Sequence, residues 1–115
     1  MTWCRLCLLI IASLIMVMAN VAPGAFAIGS GYDKLDHALA FATLTPMAIC
    51  AFPRAGLVPV FLGLLVFNTG IEVSQAFLGL GRQPDIFDWI VGVLATLSVL
   101  GAIGCFRLVR VRFQQ

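Results

Sequence analysis

The chain has 115 residues, which is one unit of ordinary domain size and not two. Its hydrophobic fraction is 62% and its charged fraction 10%, with a mean hydropathy of +1.08. A soluble domain carries about 25% charged residues, so that class is excluded and an all-α integral membrane protein is expected. A formal net charge of +2, spread along the chain, argues against a nucleic-acid partner and leaves the lipid bilayer as the first one.

The first apolar segment covers about residues 6–28, close to the roughly 20 residues a span needs. Asn20 and Pro23-Gly24 interrupt its end and predict a kink or fray. A rival reading stands beside it: Arg5, an apolar run and Ala25-Phe26-Ala27 imitate a signal peptide with a small-residue cleavage site. Gly29 to Tyr32 is a turn signal. The second segment, 35–52, opens on Asp33-Lys34-Leu35-Asp36-His37, where Asp33 or Asp36 suits a helix N-terminus. Pro46 inside it predicts a bend that a membrane helix tolerates. Pro53 to Gly56 is the next turn.

The third segment, 57–78, carries Asn68, Glu72 and Gln75 at i, i+4 and i+7, one polar stripe on a helix. A carboxylate inside a span normally faces other helices or a water-filled cavity, and by default it marks function. After a turn over 79–84 the fourth segment runs over 86–106, with Asp85 and Asp88 in its first turn and Arg107, Arg110 and Arg112 beyond it. The expected fold is a four-transmembrane-helix bundle forming one domain over 1–115.

Lys and Arg set the expected orientation. Arg5, Arg54, Arg107, Arg110 and Arg112 fall on one side, Lys34 and Arg82 on the other, so both termini are expected on the cytoplasmic side of the membrane. Tyr32 and Trp89 suit the outer interface and Trp3 the inner one. Whatever the orientation, the start of the second segment, the end of the third and the start of the fourth share one face. Glu72 lies about six residues, or roughly 9 Å at 1.5 Å per residue, inside its span end. Asp33, Lys34, His37, Glu72, Gln75, Arg82, Asp85 and Asp88 are therefore expected to converge on one outward pocket.

Cys4, Cys7, Cys50 and Cys105 fall near the opposite face. If that face is cytoplasmic, its reducing compartment argues against structural disulfides. Cys4-Arg5-Leu6-Cys7 has the spacing of a metal knuckle, but small apolar residues in helices is the reading preferred, and no metal or cofactor is expected.

These residues resemble the VanZ-like family of small bacterial membrane proteins. That family has an Asp-Lys-x-x-His segment, then a Glu-x-x-Gln, then an Arg and an Asp before a last helix. The matching residues are Asp33-Lys34-Leu35-Asp36-His37, Glu72-Val73-Ser74-Gln75, Arg82 and Asp88. The resemblance covers about residues 33–101, and Gly92 and Ala95 stand where the family often has Asn and Gly. It implies a link to resistance against teicoplanin, a lipoglycopeptide antibiotic, and it carries over no catalytic residue.

Each residue also has a plain reading. His37 is a proton-handling group, a metal ligand or a hydrogen-bonded structural histidine. Glu72 is either ionised opposite Lys34 or Arg82, or protonated in an apolar setting. Asp85 and Asp88 are capping candidates, Gln75 a neighbour of the Glu72 pair, and Asn68 and Ser74 interhelical hydrogen bonders. The first function class is non-enzymatic: binding a lipid head group, a peptidoglycan precursor, an antibiotic or an envelope protein. The second is an intramembrane hydrolase or transferase acting on a lipid-linked phosphate, with His37, Glu72 and Arg82 as its candidate catalytic residues. The third, metal- or proton-dependent transport, requires an oligomer.

Overall fold

Four α-helices make up nearly all of the described residues: α1 (Thr2–Asn20), α2 (Asp33–Ala51), α3 (Leu57–Leu78) and α4 (Ile86–Gln114). They are those of a computed structural model that describes residues 2–20, 33–79 and 84–114. Pro23-Gly24, Ala25-Phe26-Ala27, Tyr32 and Arg82 lie outside the described residues, as does the side chain of Asp33.

Local chemistry explains several of the helix ends. Pro53 cannot continue α2, because it lacks an N–H and disfavours helical backbone at Phe52. The connection closes instead with Phe52 N–H donating to Ala48 O and Ala55 N–H to Phe52 O, both at 3.0 Å. Gly79 ends α3 at φ +60°, the left-handed conformation that glycine takes without penalty. Asp85 caps α4: its Oδ1 accepts from Phe87 N–H at 2.9 Å. The helix runs past the expected span end near residue 106, since α4 continues through Arg107, Arg110 and Arg112 to Gln114. Arginine is a good helix former and suits a helix C-terminus, and no glycine or proline follows Gly104 to stop the helix.

α2 is central and touches the other three helices, α4 most extensively, whereas α1 and α4 do not meet. Phe41, Leu44 and Ile71 lie fully inside. The buried stripe of α3 is Val60, Leu64, Asn68, Ile71 and Gln75, and that of α4 is Asp88, Gly92, Thr96 and Leu100. Both stripes recur every three or four residues, the helical period. The interior is unusually polar and the exterior unusually apolar. Asn68, Gln75, Asp88 and Thr96 are buried, while Val66, Phe77, Phe87 and Leu94 are exposed.

Polar groups inside and apolar groups outside is the pattern a bilayer selects. α1, α3 and α4 are each long and apolar enough to cross a membrane, and the chain is a membrane protein. α2 is not in that set; its first turns carry Lys34, Asp36 and His37, and Thr43 and Thr45 follow. The C-terminal ends of α1 and α3 meet the N-terminal ends of α2 and α4 at one end of the molecule, where Asn20 bonds Ser74 and Lys34 faces Asp85. Cys4 and Cys50 mark the other end.

Candidate functional site

Three helices bring the polar residues together. α2 presents Lys34 and His37 one turn apart, α3 presents Asn68, Glu72 and Gln75, and α4 begins at Asp85 and Asp88. Glu72 reaches the start of α4 through the backbone N–H of Asp85.

Asn68 is the junction. It is 1% exposed, its Nδ2 donates to Trp89 O at 2.9 Å, and its Oδ1 lies 2.9 Å from His37 Nε2. Trp89 O can only accept, so the amide nitrogen of Asn68 must face it. Oδ1 is then left for His37, and His37 Nε2 must carry the proton and donate. Phe41 stacks on the ring with centroids 5.2 Å apart. One side chain thus ties α2, α3 and α4 together without charge.

Gly92 makes room for this junction. A Cβ on Gly92 would stand 2.6 Å from Asn68 Nδ2 and 3.0 Å from His37 Cδ2. On the exposed side, Trp89 Nε1 donates to Thr69 Oγ1 at 3.1 Å.

The charged groups lie around it. Glu72 Oε2 accepts from Asp85 N–H at 2.8 Å, so it holds the residue that caps α4. The free N–H groups of a helix start attract a carboxylate in this way. Lys34 Nζ lies 3.4 Å from Asp85 Oδ2 and 3.8 Å from Asp88 Oδ1. The first pair is largely exposed and contributes on the order of 1 kcal/mol or less. Gln75 turns from the cluster towards α1, where its Nε2 donates to Ala19 O at 2.7 Å. Asn20 completes that seam by donating to Ser74 Oγ at 3.0 Å.

Several acceptors are left over. Glu72 Oε1, Asp88 Oδ1, Gln75 Oε1 and Asn20 Oδ1 are buried and have no hydrogen-bond partner among the described residues. A buried polar atom left unpaired costs about 1–3 kcal/mol, and such atoms call for an explanation. Among the described residues, no three His, Cys, Asp or Glu side chains converge as a metal ion would require.

Of the residues singled out from the sequence, Lys34, His37, Glu72, Asp85 and Asp88 share the cluster with Asn68, and Gln75 belongs to the adjoining seam. Trp89 and Thr69 were not expected in the site, because a backbone carbonyl and a tryptophan N–H leave no mark in charge patterning. Asn20 was read only as an interruption, yet a lone amide in an apolar run already asks for a polar partner. The chain matches no family model, no curated protein and no solved structure.

Proposed function

We propose that this chain is a VanZ-like protein of the bacterial plasma membrane, a four-span helix bundle with both termini cytoplasmic. Its outward polar pocket binds an envelope component or a partner protein. The motif order that carries the resemblance is supported by position, since Lys34, His37, Glu72 and Asp88 come from three helices and meet at one end of the molecule.

The single observation that carries the binding reading is Glu72 Oε1, a buried carboxylate oxygen with no hydrogen-bond partner among the described residues, beside Asp88 Oδ1, which has only the Lys34 ammonium at 3.8 Å. Both are acceptors, so their partner is a donor. The pocket therefore favours a ligand that presents ammonium or N–H groups, such as the amine of a lipid head group, the peptide of a cell-wall precursor, or a glycopeptide. Lipid-phosphate hydrolysis has less support. Lys34 is the cation of the cluster among the described residues, and it already faces two aspartates.

The test is teicoplanin susceptibility of a sensitive Gram-positive host that expresses the chain, its Glu72→Gln variant or its Asp88→Asn variant at matched membrane levels. Both substitutions keep size and remove the acid. Protection by the original chain that both variants lose supports the reading. Protection that persists in the variants makes the cluster structural. Absence of any protection detaches the chain from the antibiotic phenotype and makes phosphate release from a polyprenyl phosphate the next assay.

A further inference from the structure

At the end opposite the polar cluster, the first turn of α1 meets the last turn of α2. Cys4 Sγ and Cys50 Sγ lie 2.7 Å apart. A disulfide bond is about 2.05 Å long, so closing it asks for only ~0.7 Å of sulfur movement. The other two cysteines, Cys7 and Cys105, are exposed and free.

The two thiols are held in register by their neighbours. Arg5 Nε donates to Ala51 O at 3.0 Å, and its guanidinium lies 4.8 Å over the Phe52 ring. These contacts join the residue after Cys4 to the two residues after Cys50, so the sulfurs face each other as part of a fixed helix–helix contact.

α1 has reason to need such a fastening. Asn20, at its far end, is its buried residue among those described. Between the two ends, Leu8, Leu9 and Ala12 line an apolar cavity of about 370 Å³ against Leu44, Val60 and Leu64. α1 is thus attached by polar contacts at its ends, while between them Leu8, Ile11, Ala12, Ile15 and Met16 pack against the core beside that cavity.

We propose that Cys4 and Cys50 form a reversible dithiol–disulfide couple that fastens α1 to α2. The oxidant is a small disulfide of the glutathione class. One thiolate attacks it, forms a mixed disulfide and releases one glutathione thiolate. The second thiolate attacks the protein sulfur of that mixed disulfide, forms the Cys4–Cys50 bond and releases the second glutathione. The two protons lost by the cysteines are taken up by the two released thiolates, and the two electrons pass to glutathione. In a reducing compartment such pairs are transient and redox-sensing, which accords with a reversible couple.

The test uses the full chain purified in detergent micelles, together with a Cys7→Ser/Cys105→Ser variant that keeps only the proposed pair. Each is incubated with oxidised glutathione, denatured, and titrated with a maleimide. The expected result is that two of the four thiols disappear in the original chain and both disappear in the variant. Non-reducing digestion then yields one intrachain peptide joining the segments around Cys4 and Cys50, and dithiothreitol reverses the link. Full maleimide reactivity after oxidation would overturn the proposal. Glutathione adducts without the cross-link, a Cys4–Cys7 link, or a link between two chains would overturn it as well.

Discussion

Gly92→Ala tests whether the Asn68 junction holds the helices together. The added methyl would meet Asn68 Nδ2 at 2.6 Å and Asn68 Cγ at 3.1 Å. Asn68 cannot swing aside cheaply, because it is buried and bonded at both ends of its amide. Overpacking of this kind costs about 1–3 kcal/mol. Losing the bonds to Trp89 O and His37 adds roughly 0.6 kcal/mol each, the average for interhelical bonds in a membrane protein. Helix propensity returns up to about 1 kcal/mol on replacing glycine by alanine. The net is a loss of about 2 kcal/mol, close to a thirtyfold shift in the folding equilibrium. Gly101 is the control: its Cβ would meet nothing within 4 Å, so Gly101→Ala is expected to be neutral or slightly stabilising. The assay is unfolding in mixed micelles titrated with dodecyl sulfate and followed by circular dichroism. In an Asn68→Ala background the cost of Gly92→Ala should fall by more than half, since the closest obstacle is gone. Equal stability of Gly92→Ala and Gly101→Ala would refute the reasoning.

Other substitutions separate the remaining contacts. Asn68→Leu breaks both amide bonds and leaves His37 Nε2 without its acceptor, so a loss of about 2 kcal/mol is expected in the same titration; a change under about 0.5 kcal/mol would remove Asn68 from its central role. Glu72→Gln should keep the bond from Asp85 N–H and leave the melt almost unchanged. Glu72→Leu removes that acceptor and should lower stability by about 1–2 kcal/mol, and identical melts for the two would show that the bond does not matter. Gln75→Ala removes the donor to Ala19 O, so hydrogen exchange should quicken along α1 and stay unchanged in α2 and α4. Lys34→Met should cost about 1 kcal/mol or less, because the pair with Asp85 is exposed; a larger loss would mean that Lys34 neutralises buried Asp88.

Run length made the fold legible, because apolar segments must match a bilayer. The ends of α3 fall where the sequence places them, at Leu57 and Leu78, since Pro53-Arg54-Ala55-Gly56 and Gly79 are local stop signals. α4 outlasts its apolar segment for a physical reason. The apolar pattern reports where lipid ends, and a helix rich in arginine continues into water. The polar stripe of Asn68, Glu72 and Gln75 was legible from its spacing, but its members separate in function. Asn68 ties three helices, Glu72 holds the capping residue of α4, and Gln75 reaches α1. Spacing places residues on one side of a helix and does not name their partners. Two of these three partners are backbone groups alone, which no side-chain pattern reveals.

The division of labour in the cluster follows from the cost of charge in a membrane. Helices held together by a buried ion pair bear the desolvation of both charges. Here the most buried link is neutral, an amide between an imidazole and a backbone carbonyl. Structural work at the centre of the contact is thereby met without a carboxylate. Among the described residues, Glu72 keeps an oxygen without a hydrogen-bond partner, and the buried oxygen of Asp88 has only Lys34 at 3.8 Å. Substitutions at Asn68 and Gly92 should therefore lower stability and binding together. Acid-to-amide changes at Glu72 and Asp88 should lower binding while the melt stays in place. If instead all four positions moved stability in parallel, the carboxylates would belong to the scaffold, and the pocket would have no groups left over for a ligand.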